Sequence, residues 1–139
     1  MLLAKYLWIL GSLIFLSLGS IHLWYTFFTN KFNPRNKSVI TDMKNTSPIL
    51  TKDTTMWNAW IGFNASHSAG VIYFGLINML LAAQYFPILQ NSLLIILLTI
   101  VTVLFYCWLG KKYWFRIPFT GIVIAAGCFI IATVLICFG

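Results

Sequence analysis

The chain has 139 residues, of which 60% are hydrophobic and only 8% charged, with a formal net charge of +7. That balance excludes an ordinary soluble domain and predicts one integral membrane domain over residues 1–139. It also excludes nucleic acid as the partner, because the cations come with no aromatic platform or recognition helix in a soluble region; topology and attraction to anionic lipid headgroups account for them.

A bilayer core of about 30 Å takes roughly 20 apolar residues per helix, and four runs of the chain meet that length. The first covers residues 2–28. Its start resembles a signal peptide, with Lys5, an apolar stretch and small residues at Ser17 and Gly19. Retention as a span is expected, since cleavage would leave an odd number of crossings and export the basic loop. Residues 30–53 form that loop, with Pro34, Pro48 and both acids of the protein, Asp42 and Asp53. Its pattern suits the membrane surface, with a short helix near residues 39–44. Asp53, Thr54 or Thr55 fits the N-cap of a second span over 55–84, where Met56, Trp57 and Trp60 enter at headgroup depth.

The link 85–91 contains Pro87 and reads as a tight turn. The third span covers 92–109, and Gly110 followed by Lys111 and Lys112 predicts a helix stop. Tyr113, Trp114 and Arg116 are interface anchors, and Pro118 suits the first turn of a fourth span over 118–138.

Lys31, Arg35, Lys37, Lys44 and Lys52 fall in the first connection, Lys111, Lys112 and Arg116 in the third, and Lys5 alone lies elsewhere. Antiparallel crossings put those two connections on one face, and basic connections mark the cytoplasm. The expected fold is therefore an all-α, four-helix transmembrane up-and-down bundle with both termini outside, multi-pass in a bacterial inner membrane. Gly11, Ser12 and Gly19, then Ala65 and Ala69, then Gly121 and Ala125 supply small contact faces.

The second span holds the chemistry. At about 100° per residue, Trp57, Trp60, Asn64, His67, Ser68, Val71, Gly75 and Asn78 share one face, opposite Tyr73, Leu76 and Leu80. Polar groups in lipid need internal partners, so this stripe should face the bundle interior. The first span offers Trp8, Gly11, Phe15, Gly19, His22 and Thr26, with Tyr25 at the border. His22 lies about 9 Å before Phe28 and His67 about 18 Å after Thr55, so both fall on the cytoplasmic side of the midplane and can share a pocket.

The segments Ser20-Ile21-His22-Leu23-Trp24 and Gly62-Phe63-Asn64-Ala65-Ser66-His67-Ser68-Ala69-Gly70 resemble those of a small bacterial family of four-span membrane proteins without an assigned activity. In general architecture the chain is also similar to the small DoxX-type membrane proteins. Neither resemblance implies a catalytic assignment.

The leading expectation is a binding protein for a lipid-soluble ligand such as a quinone, an isoprenoid or a lipid. His67, Asn64, His22, Asn78, Trp60, Trp57, Ser68 and Tyr25 are the candidate ligand-binding residues. Membrane lipids, a membrane protein partner or a second copy of the chain are the expected partners. An alternative is a non-enzymatic subunit or assembly factor of a larger membrane complex. A second alternative is a haem b protein with His22 and His67 as axial ligands, and a weaker variant places copper at His22, His67 and Cys128. Cys107 and Cys137, like Cys128, read as small buried hydrophobes. Hydrolytic catalysis is disfavoured, because no acid lies in a span to orient His67 beside Ser66 or Ser68.

Overall fold

The computed structural model describes residues 1–139 and is all-α. Its helices are α1 (Leu2–Phe28), α2 (Lys37–Asn45), α3 (Met56–Gln84), α4 (Phe86–Asn91), α5 (Leu93–Tyr113) and α6 (Arg116–Phe138). Helices α1, α3, α5 and α6 are each long and apolar enough to cross a membrane, as a multi-pass integral membrane protein requires.

The helix starts follow local chemistry. Thr55 is the cap of α3, its hydroxyl accepting from the Asn58 N–H at 3.2 Å, whereas Asp53 instead takes the Thr51 hydroxyl at 3.0 Å. Ser92 caps α5 through the Ile95 N–H, and Asn36 caps α2 through the Ser38 N–H. Pro118 falls in the first turn of α6, where its missing N–H costs nothing.

Two sequence expectations are corrected. The link 85–91 is not a simple turn but the short helix α4, with Pro87 in its first turn. Gly110 does not stop α5, which runs on through Lys111 and Lys112 to Tyr113. Gly110 is buried and has no left-handed φ; a Cβ there would lie 3.1 Å from Phe119 Cδ2. Its smallness admits the neighbouring helix, so it serves packing instead of termination.

The chain forms two compact units, residues 1–18 with 71–139, and residues 19–70. The first has an aromatic core. The Phe15 ring centroid lies 4.8 Å from Phe74, 5.5 Å from Tyr106 and 6.2 Å from Phe129, while Trp8 meets Phe129 edge to face at 5.1 Å. Such arrangements suit the ring quadrupoles. Helices α1 and α3 approach closely at Gly75, where a Cβ would stand 2.7 Å from the Leu16 nitrogen and 2.9 Å from the Ser12 oxygen. Tyr73, Leu76 and Leu80 point outward, the expected lipid face of α3.

A buried amide links three helices of this unit. Asn78 Oδ1 accepts from Trp8 Nε1 at 3.1 Å and from the Thr99 hydroxyl at 3.0 Å, and its Nδ2 donates to the Phe74 carbonyl at 3.0 Å. Near the same end, Lys5 Nζ donates to the Ala83 carbonyl in the last turn of α3, a favourable place for a cation. Thr133 is the exception to this accounting: its hydroxyl oxygen is buried with no hydrogen-bond partner.

The second unit contains the end of α1, α2 and its flanking loops, and the start of α3. The Met56 N–H donates to the Thr46 carbonyl at 2.8 Å, which fixes the approach to α3. Lys44 on α2 sits over the Trp57 ring at 5.4 Å. No residue of α2 is buried, and Ile49 and Leu50 beyond it stand almost wholly exposed.

Candidate functional site

Both histidines of the chain lie in the second unit, on facing turns of α1 and α3, beside Asn64. His22 Nε2 lies 3.0 Å from Asn64 Oδ1, and the His22 and His67 ring centroids are 5.6 Å apart at an interplanar angle of 70°. The two histidine rings are thus neighbours within this unit. Phe32, from the loop after α1, lies against His22 at 4.4 Å between centroids and meets Tyr25 edge to face at 5.9 Å.

The hydrogen bonds fix which atom of each group does what. Asn64 Nδ2 lies 2.8 Å from the Trp60 carbonyl oxygen, an atom that can only accept. The amide nitrogen must therefore face that carbonyl, and the amide oxygen must face His22. An amide oxygen also only accepts, so His22 carries a proton on Nε2. In the neutral imidazole the lone pair is then on Nδ1, which makes no hydrogen bond within the protein.

Neighbouring hydroxyls are already occupied. Ser68 Oγ donates to the Asn64 carbonyl at 2.8 Å, and Thr26 Oγ1 to the His22 carbonyl at 2.9 Å. Ser68 is buried and acts on the backbone, so its hydroxyl donor is spent. Trp57 and Trp60 stack at 5.5 Å between centroids and 27° between planes, with Lys44 over Trp57. Lys31 reaches the Tyr25 hydroxyl at 3.1 Å. The result is a niche of two imidazoles and an amide, bordered by Phe32 with Tyr25 against it, while the Trp57–Trp60 stack lies earlier on α3 and lysines sit over the Tyr25 and Trp57 rings. His22, Tyr25, Phe32, Trp57, Trp60, Asn64 and His67 are all half-buried, so the niche is partly open and not sealed.

The sequence-derived set divides. His22, Asn64, His67, Tyr25, Trp60, Trp57 and Ser68 belong to the second unit, whereas Asn78 belongs to the first. The Asn78 oxygen already has two donors, so this amide works as a packing group. Phe32 was missed by sequence reasoning; a single phenylalanine between Lys31 and Asn33 in a polar loop carries no periodicity that would single it out.

Metal and acid–base chemistry meet specific obstacles. No group of three or more His, Cys, Asp or Glu side chains assembles, which leaves the copper arrangement with Cys128 without a ligand set. Haem ligation through His22 Nε2 would require breaking its bond to Asn64. Asp53 is engaged with Thr51, and Asp42 is exposed on α2.

Comparison of the chain with protein-family models, with curated proteins and with solved structures gives no match.

Proposed function

We propose that this multi-pass membrane protein binds a lipid-soluble molecule with a polar head, of the quinone, isoprenoid or lipid class, at the His22–Asn64–His67 niche. The observation that carries the reading is the His22–Asn64 hydrogen bond beside a second imidazole, within helices apolar enough to span a bilayer. Ionisable groups in such segments are costly and mark sites more often than not. Tyr25, Phe32, Trp57 and Trp60 supply apolar walls for the body of the guest, and few polar atoms orient its head. In this reading the basic connections face the cytoplasm and both termini lie outside.

Native mass spectrometry of the protein extracted with its own lipids tests the proposal. The wild type should retain a stoichiometric small molecule. Asn64→Leu and His67→Ala should each lose most of it while remaining folded by circular dichroism. Equal retention in all three proteins would place the guest elsewhere and end the reading.

A second reading, as a non-enzymatic subunit or assembly factor, draws on a different observation. The outward face of α3 carries an apolar groove of about 510 Å³ lined by Tyr73, Leu76, Ile77, Met79, Leu80, Ala83 and Gln84. A partner helix would fit there, and Leu76→Trp should then abolish co-purification of a stoichiometric protein partner.

A further inference from the structure

We infer that the guest of the niche is a hydrogen-bond donor, a phenol, quinol or isoprenoid alcohol, whose hydroxyl donates to His22 Nδ1. The inference rests on the ligand-binding reading and deepens it from a site to a chemical class. A quinone carbonyl or an ester headgroup brings only acceptors. Those cannot pair with an atom whose lone pair points at them.

The argument is a chain of donors and acceptors with one end open. The Trp60 carbonyl accepts from Asn64 Nδ2, Asn64 Oδ1 accepts from His22 Nε2, and the neutral ring presents an acceptor at Nδ1. Every link is set by the one before it, starting from a backbone carbonyl that has no second role. Thr26 and Ser68 do not complete the chain from inside, because each has given its proton to a carbonyl one turn earlier. His22 is half-buried, and Nδ1 is not among the sealed atoms without partners. An atom that is reachable, aprotic and set among aromatic rings selects a guest that is apolar and protic together. The Phe32 ring at 4.4 Å from His22 gives the body of an aromatic alcohol a surface to lie against.

Matched probes separate this idea from the broader one. The purified protein in lipid nanodiscs is titrated calorimetrically with para-decylphenol, para-decylanisole and para-decylacetophenone. The three share a tail and ring and differ only in having a donor, a blocked donor or an acceptor. The phenol should bind roughly five- to tenfold tighter than either of the others, the value of one hydrogen bond between neutral groups. In Asn64→Leu, which frees the tautomer, that preference should shrink towards unity. Nitrogen NMR of the wild type should show His22 protonated at Nε2 and aprotic at Nδ1. Equal affinities for the three probes, or an Nδ1-protonated ring, would overturn the donor assignment while leaving a binding site in place. Failure of all three to bind in a manner sensitive to His22→Ala would bring down the binding reading and the donor assignment with it.

Discussion

Three hydroxyls in the long helices lean back on a carbonyl one turn earlier: Ser12 on Trp8, Thr26 on His22, Ser68 on Asn64. In an apolar medium this is the cheapest way to satisfy a lone donor. Thr133 does not follow the pattern, and its buried oxygen has no partner. Thr133→Val keeps the shape and removes the polar atom, so thermal unfolding in detergent should show unchanged stability or a gain of up to about 1 kcal/mol. Asn78 behaves in the opposite way. Asn78→Leu strands the Trp8 N–H and the Thr99 hydroxyl, and should cost roughly 1–3 kcal/mol in the same measurement. Adding Thr99→Val to that variant should cost less than the two single changes summed, because one orphan disappears with it. Asn64 and Asn78 of α3 thus have different work, although the helical wheel places them on one face. Residue type and angle were legible in the sequence; the partner of each amide was not, because it depends on which residue of α1 or α5 lies at the same depth.

Glycines separate by what stands beside them. At Gly75 a methyl group would drive into the backbone of α1, 2.7 Å from the Leu16 nitrogen, and backbone cannot swing aside. Gly75→Ala should therefore destabilise the protein by about 1–3 kcal/mol or force α1 and α3 apart. At Gly62 nothing lies within 4 Å, so Gly62→Ala should leave stability unchanged or raise it by roughly 0.5–1 kcal/mol through helix propensity. Paired melting curves decide both, and a larger loss at Gly62 than at Gly75 would refute the packing argument. At the start of α3, Thr55→Ala removes a cap worth about 1 kcal/mol, which should speed amide exchange in the first turn. Hydropathy made the four long helices legible to within a few residues, and capping rules made their starts so. The end of α5 was misread because Gly110 looks like a terminator in isolation, and only the Phe119 ring against it reveals why it is small. Helix α4 escaped because six residues around a proline resemble a turn in any local window.

Taken whole, the molecule wears its apolar side chains outward. Leu94, Leu98, Val101 and Phe105 on α5, and Ile124 and Ile131 on α6, are all more than half exposed, as a surface in contact with acyl chains requires. The distribution of cations predicts the orientation. With Cys107, Cys128 and Cys137 replaced by alanine, cysteines introduced for Ser47 and Tyr113 should both react with an impermeant maleimide from the cytoplasmic side only. Labelling from opposite sides would refute the orientation. The Asn78 oxygen carries a consequence for biogenesis. Its first donor arrives with α1 and its second only with α5, so a nascent chain halted before Thr99 has two helices threaded and an acceptor half filled. Until the third long helix is delivered from the insertion machinery, the α1–α3 pair carries that acceptor with only the Trp8 N–H to fill it. Closure of that single atom is where insertion becomes assembly.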